Sequence, residues 1–240
     1  MVLYLIGLGL ADENDITLKG LELIKKSDTV YLESYTSVMQ CSKEQLDKKF
    51  DKKSILATRE IVESNKILQE AKHKNVALLV AGDPLVATTH VELFLEAKKQ
   101  GIPVEIINNA SIVSAVGRTG LQVYKFGRTI SVPFQNATSF LDMIVANKKI
   151  GLHTLLLLDL DIAGNKYLTI KEAVERIETL DKKILGKTVV GCARIGAKKE
   201  LIVAGSPQKL KEIDWGKPPY CLIIPGELHF MEEDALKSLS

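Results

Sequence analysis

The chain has 240 residues, and its 32 Lys and Arg are nearly balanced by 30 Asp and Glu, which removes the electrostatic case for a direct nucleic-acid binder. Cys41, Cys192 and Cys221 show no Cys-x-x-Cys spacing, so neither a disulfide framework nor a zinc site is indicated. Apolar runs such as Leu155–Leu158 are far too short to span a bilayer, and with no basic region or cleavage site before the first apolar run the expectation is a cytoplasmic globular protein without a membrane partner.

Val2–Ile6 is a short continuous apolar run closed by Gly7-Leu8-Gly9-Leu10, the pattern of a parallel strand covered on both faces. Thr17 can cap a helix with Leu18, Leu21 and Ile24 on one face, and Thr29–Ser34 reads as a second strand. A helix over Lys43–Phe50 and a short strand at Ile55-Leu56 follow. Arg59–His73 carries Ile61, Leu68 and Ala71 at helical spacing, and Val76–Val80 is a strand closed by Gly82-Asp83-Pro84. Thr88 or Thr89 opens a further helix with Val91 and Leu95 inward, and Gly101-Ile102-Pro103 stops it before the strand Val104–Ile107. Such alternation predicts a parallel sheet between helices, forming an α/β domain over residues 1–110.

The second half has another texture. A helix over Ser111–Arg118 precedes strands near Thr129–Val132 and Thr154–Asp159, with a helix over Ser139–Lys148 between them. In the helix Thr169–Leu180, Ile170, Ala173, Val174 and Ile177 make the apolar stripe. Lys187–Arg194 and Glu200–Ala204 read as a hairpin turning at Ile195-Gly196-Ala197. A helix from Pro207, a strand at Tyr220–Ile224 and a helix after Pro225-Gly226 complete an α/β domain with a mixed sheet over residues 111–240.

The two glycine turns carry the functional signal. In open α/β sheets the carboxyl ends of the strands form the ligand crevice, so turns built for close backbone approach point to a small-molecule site. A dinucleotide does not fit Gly7-x-Gly9, because the third small residue of that fingerprint is replaced by Asp12 and the tract continues Glu13-Asn14-Asp15. No Gly-Lys-Ser/Thr follows to make a phosphate loop.

The segments Leu3–Leu10, Val80–His90, Asn109–Ile112, Gly120–Gly127, His153–Asp159 and Gly191–Ala197 resemble those of the diphthine synthases. That family belongs to the tetrapyrrole methylase superfamily of S-adenosylmethionine-dependent methyltransferases. Gly82-Asp83-Pro84 marks the superfamily, and Gly120-Leu121-Gln122-Val123-Tyr124-Lys125-Phe126-Gly127 the narrower family. The resemblance implies two α/β domains with the methyl donor in a cleft between them, a homodimer, S-adenosylhomocysteine as product and no metal. It carries donor contacts to Leu10, Asp83, Val86, Ser111, Ile112, Leu158, Ala204 and His229.

Chemically, Asp83 would favour the cationic methionine end of the donor, Ser111 and the helix amides its polar groups, and His229 the adenine side. Leu10, Val86, Ile112 and Leu158 would be apolar walls. Plainer roles stay open: a turn aspartate for Asp83, core packing for the aliphatic residues, and caps for Ser111 and His229. The acceptor implied is a modified histidine of translation elongation factor 2, whose 3-amino-3-carboxypropyl group is methylated on nitrogen. The product expected of an archaeal member is the trimethylated diphthine of diphthamide biosynthesis. No catalytic base stands out; Asp159 and Asp161 are candidates beside structural roles, and Lys125, Arg128 and Arg194 are candidates by charge alone for the substrate carboxylate. The alternatives are a methyltransferase of the same fold acting on a tetrapyrrole and a noncatalytic S-adenosylmethionine-binding regulatory module.

Overall fold

A computed structural model describes residues 1–135 and 137–240 and divides into two compact units, Met1–Ile112 and Val113–Ser240. In the first, β1 (Leu3–Gly7), α1 (Leu18–Lys26), β2 (Thr29–Glu33), α2 (Lys43–Phe50), β3 (Ser54–Ala57), α3 (Arg59–Glu63), α4 (Lys66–Ala71), β4 (Val76–Val80), α5 (His90–Lys99) and β5 (Val104–Ile107) follow one another. The strands form one parallel sheet in the order β3-β2-β4-β1-β5.

Alternate strand residues face opposite sides of the sheet, and each side has its own core. Tyr4, Ile6, Ala77 and Leu79 pack with Leu23 and Ile24 of α1 and Leu46 and Phe50 of α2. Leu3, Leu5, Leu78 and Val80 pack with Val62, Ile67 and Leu68 of α3 and α4 and with Leu93 and Ala97 of α5. The chain therefore leaves β1 towards one face and β4 towards the other. Since β1 and β4 are neighbours, the reversal falls between their carboxyl ends, where the two glycine turns lie.

Local chemistry explains where these helices begin and end. The Thr17 hydroxyl accepts from Gly20 N at 3.0 Å to start α1, and Ser42 with Gln45 forms a capping box on α2. Three sequence expectations are corrected. Leu18 is 82 % exposed, because the inward stripe of α1 is Gly20, Leu23 and Ile24, on the opposite side of the helix. In α5 the buried positions are His90, Leu93 and Ala97, which turns Val91 and Leu95 outward. The single helix expected over Arg59–His73 is two, broken at Ser64: its hydroxyl donates to Ile61 O at 2.8 Å and accepts from Lys66 N, competing with the helical ladder.

After α6 (Ile112–Ala115), the expected helix tightens into a 3₁₀ turn over Val116–Thr119, and a second such turn spans Val123–Lys125. Then come β6 (Ile130–Val132), α7 (Ser139–Lys149), β7 (Thr154–Leu158), the small pair β8 (Leu160–Asp161) and β9 (Lys166–Tyr167), α8 (Ile170–Asp181), β10 (Val189–Ala193), β11 (Leu201–Gly205), α9 (Pro207–Glu212), β12 (Tyr220–Ile224) and α10 (Phe230–Ser238). The main sheet runs β11-β10-β12-β7-β6, antiparallel except for the β6–β7 pair. The β10–β11 hairpin is present as expected. Phe140, Ile144, Ile170, Val174, Ile177, Leu210 and Trp215 join Leu156 and Leu222 in the core of this unit. Among the described residues no helix is long and apolar enough to cross a membrane.

The close passage of the first unit's glycine turns predicts a specific intolerance. A Cβ at Gly7 would fall 2.5 Å from the Gly82 carbonyl oxygen and 2.8 Å from Asn109 Cβ. Gly7→Ala is expected to destabilise the protein by about 1–3 kcal/mol, read as a lower urea midpoint; an unchanged midpoint would contradict this packing.

Candidate functional site

The turn after β1 meets the turn after β4 through their backbones. Gly82 N donates to Gly9 O at 2.7 Å, Gly9 N to Gly82 O at 3.2 Å, and Leu8 N to Val80 O at 2.8 Å. Both glycines adopt left-handed backbone, with φ of +84° at Gly9 and +73° at Gly82, which a side chain would oppose. Asp15 folds back behind them, its Oδ2 accepting from Leu10 N at 3.2 Å and Ala11 N at 2.7 Å. An internal carboxylate thus occupies amides that a dinucleotide turn would offer to a pyrophosphate.

Asp83 joins this pair to the segment after β5. Its Oδ1 accepts from Leu85 N at 2.9 Å, and its Oδ2 from Asn108 Nδ2 at 2.9 Å and Asn109 N at 3.2 Å. Asn109 Nδ2 in turn donates to Gly7 O and Asp15 O, each at 3.0 Å. Asp83 is only 5 % exposed, yet its three donors are neutral amides and no cation among the described residues lies within ion-pairing distance. Buried carboxylates are ordinarily paired, so this one leaves an uncompensated negative field beside the turns. Leu10, Val86 and Ile112 are half-buried around the same strand ends, and Ser111 is buried. Five of the expected contacts therefore gather at the carboxyl edge of one sheet.

The other three lie in the second unit and are not adjacent within it. Ala204 sits in the row of Val190, Ile223 and Leu155, whereas Leu158 is three residues along β7 and three strands across, roughly 17 Å away on strand spacings. Ala204 N donates to Leu239 O at 3.0 Å. His229 is exposed and caps α10, its Nδ1 accepting from Met231 N at 3.3 Å.

The catalytic and carboxylate-receiving candidates fare unequally. Asp159 accepts from Phe134 N and Leu160 N, each at 3.0 Å, and Asp161 from Gly164 N at 2.9 Å, so both hold local turns. The Arg194 guanidinium donates to Lys199 O at 2.9 Å, to Trp215 O at 2.6 Å and to Lys217 O. Lys125 donates to Glu227 O and to Glu232 Oε2, both at 2.6 Å. Arg128 is exposed, and its side chain enters no hydrogen bond or ion pair among the described residues.

Glu232, which sequence reasoning missed, is the anchor of the segment that distinguishes the narrower family. Fully buried, it accepts from Gln122 N at 2.8 Å and His153 Nε2 at 2.9 Å on one oxygen, and from Lys125 Nζ at 2.6 Å and His229 N at 2.8 Å on the other. Gly226 N donates to His153 Nδ1 at 2.9 Å, so the ring proton sits on Nε2 and points at the carboxylate. Burial pushes His153 towards its neutral form, only partly offset by Glu232. Burial also opposes charge on Glu232, but the surrounding donors outweigh it and hold its carboxyl at about 2. Its position three residues into α10 after the cap was the available signal, a variant of the capping box.

With this geometry in place, the chain matches the family model Tetrapyrrole (Corrin/Porphyrin) Methylases over residues 2–211. It belongs to that family, and with it to the S-adenosylmethionine-dependent methyltransferases. Within the family it is 46 % identical over 253 residues to a diphthine synthase of Methanocaldococcus jannaschii, covering 99 % of this chain and 98 % of that one. It is also 42 % identical over 267 residues to a diphthine methyl ester synthase of Bos taurus, covering 98 % of this chain and 94 % of the relative. A crystal structure of diphthine synthase superposes with a TM-score of 0.95 at 39 % identity, covering 100 % of this chain and 96 % of that one.

The Glu232 cluster predicts both a mutational and an acid response. Glu232→Ala strands Lys125 and is expected to cost about 3–5 kcal/mol of folding stability, measured by urea unfolding near neutral pH. The carboxyl is more acidic in the folded protein, with a pKa of about 2, than at its ordinary 4.5. Its stabilisation is therefore complete above the ordinary value and lost as pH falls from there towards the folded one. Wild type should lose more stability over that window than the alanine variant; equal losses would contradict the assignment.

Proposed function

We propose that this methyltransferase transfers methyl groups from S-adenosylmethionine to the amino nitrogen of the 3-amino-3-carboxypropyl histidine of translation elongation factor 2, giving trimethylated diphthine and S-adenosylhomocysteine. The observation that carries the reading is the full-length likeness to proteins named diphthine synthase. Diphthamide biosynthesis is accordingly its pathway. A homodimer and a cytoplasmic location belong to the same proposal.

The residues fit the donor. S-adenosylmethionine brings a sulfonium and an ammonium, and buried Asp83, with no cation beside it, supplies a field that favours them. Leu10, Val86, Ile112, Ser111, Leu158, Ala204 and His229 complete the proposed donor contacts. Methyl transfer is a direct displacement with a neutral thioether leaving, so the protein's contribution is to align the amine with the sulfur–methyl bond and exclude competing geometries. The amine loses a proton before each attack; with Asp159 and Asp161 engaged by backbone amides, solvent takes it. Arg128 remains the proposed receptor for the substrate carboxylate, since Lys125 and Arg194 are engaged by this chain's own oxygens.

A second product is favoured by one observation: relatives of comparable identity carry the name diphthine methyl ester synthase. Three methyl groups saturate the nitrogen, so a fourth would have to enter as a carboxylate ester. Intact-mass analysis of elongation factor 2 bearing the 3-amino-3-carboxypropyl histidine, after incubation with this protein and S-adenosylmethionine, is expected to show three added methyl groups. A fourth, labile to mild alkali, would establish the ester instead, and no transfer with the donor bound would move the reading to a tetrapyrrole acceptor or a regulatory module.

Charge at Asp83 is testable apart from fold. Asp83→Asn is expected to lose roughly tenfold more affinity for S-adenosylmethionine than for S-adenosylhomocysteine, which lacks the sulfonium charge. Calorimetric titration of both ligands reads the difference, and equal losses would assign Asp83 to the turn alone.

A further inference from the structure

Beyond Asp83, the chain between β4 and α5 is held in a costly conformation by a buried histidine. Ala87 adopts a φ of +58°, a left-handed backbone that a residue with a Cβ enters only when its surroundings enforce it. The enforcing contacts converge on the Pro84 carbonyl, which accepts from Thr88 Oγ1 at 2.7 Å and from His90 Nδ1 at 3.0 Å. Because that carbonyl can only accept, Nδ1 carries the ring proton, and Nε2 is left to accept from the Tyr35 hydroxyl at 3.4 Å. The two rings meet edge to face with centroids 6.3 Å apart.

His90 is only 1 % exposed, and Tyr35 is itself anchored. The Tyr35 backbone N–H donates to buried Glu33, as does Thr36 N at 2.8 Å, and the Arg59 guanidinium lies 5.1 Å above the Tyr35 ring. Burial, assisted by Glu33, holds the Tyr35 hydroxyl in its protonated, donating form. A chain of contacts thus runs from the end of β2, through Tyr35 and His90, to the turn after β4, its neighbour in the sheet.

We propose that His90 and Tyr35 are positioning residues that pre-set the strained Pro84–Thr89 segment, and with it Val86, for methyl-donor binding. They act through the Pro84 carbonyl and do not touch the donor. The inference rests on the reading of Asp83 and Val86 as donor-site residues. Without the brace, Ala87 relaxes to right-handed or extended backbone, only a fraction of molecules keep the competent turn, and the apparent affinity falls by that fraction.

Calorimetric titration with S-adenosylhomocysteine, alongside thermal unfolding of the ligand-free protein, tests this. His90→Ala is expected to weaken binding about tenfold or more, corresponding to a competent fraction of about one in ten. His90→Asn retains a donor near the Nδ1 position and should restore most of the affinity. Tyr35→Phe, which removes only the hydroxyl, should fall between. Ala87→Gly added to His90→Ala should recover part of the binding, because glycine enters the left-handed region freely; a merely structural histidine would change the unfolding temperature without this rescue.

Wild-type affinity in a folded His90→Ala, or equal loss in His90→Asn and His90→Ala without recovery by Ala87→Gly, would overturn the inference while leaving the donor site standing. Should His90→Ala not fold, Tyr35→Phe and His90→Asn decide the matter, with unchanged affinity in Tyr35→Phe and tenfold loss in His90→Asn counting against it. Failure of the wild type to bind either S-adenosylmethionine or S-adenosylhomocysteine would overturn the donor site and this inference together.

Discussion

Two backbone hydrogen bonds between Gly9 and Gly82 set the geometry on which the carboxyl edge of the first sheet depends. Neighbouring parallel strands normally diverge at their ends, because the connections must cross to helices on one face or the other. Here β1 and β4 leave towards opposite faces, and the two turns pass each other before they separate. The passage is so close that Gly7 has no room for a Cβ. Once the turns are locked, Asp15 seals the first from behind and Asp83 ties the second to Asn108 and Asn109, so three strand ends become one rigid rim.

Two buried carboxylates show how surroundings, rather than burial, decide a residue's work. Glu232 is saturated by Lys125, His153 and two backbone amides, and its charge is consumed in fastening the 120–127 segment to α10. Asp83 is nearly as buried but is met only by neutral amides, so its field extends beyond its own hydrogen bonds. The first arrangement builds structure. The second is suited to a cationic ligand, because bringing a positive charge to an existing uncompensated carboxylate recovers energy that burial cost.

Membership of the tetrapyrrole methylases brings a reaction that asks little of proton-transfer groups and much of placement. The carboxyl edge of the first sheet is made of glycines, asparagines and a strained alanine held in fixed positions around the Asp15 and Asp83 carboxylates. The whole-chain similarity to diphthine synthases narrows the substrate where the fold alone would leave many methyl acceptors open.

Much was legible along the chain. Continuous apolar runs ending in glycine announced β1 and β4, Thr17 announced the helix it caps, and Asp12 in place of a small residue argued against a dinucleotide turn. These are local properties, set by neighbours a few residues away. What the sequence could not reveal were mostly partnerships across long separations: that Leu18, Val91 and Leu95 face outward, that Lys125 and Arg194 are occupied by this chain's own oxygens, and that Leu158 and Ala204 stand far apart on their sheet. The break at Ser64 is local, a hydroxyl competing with the helical ladder where apolar spacing alone read one helix. By itself the sequence determined the strands of the two main sheets, the Thr17 cap and the family-bearing turns, because backbone preference and hydrophobic period act within a few residues; the β8–β9 pair and most caps came only with the structure. Only the tertiary structure decided which charges are neutralised and which remain, because that depends on which groups the sheet order brings within hydrogen-bonding distance.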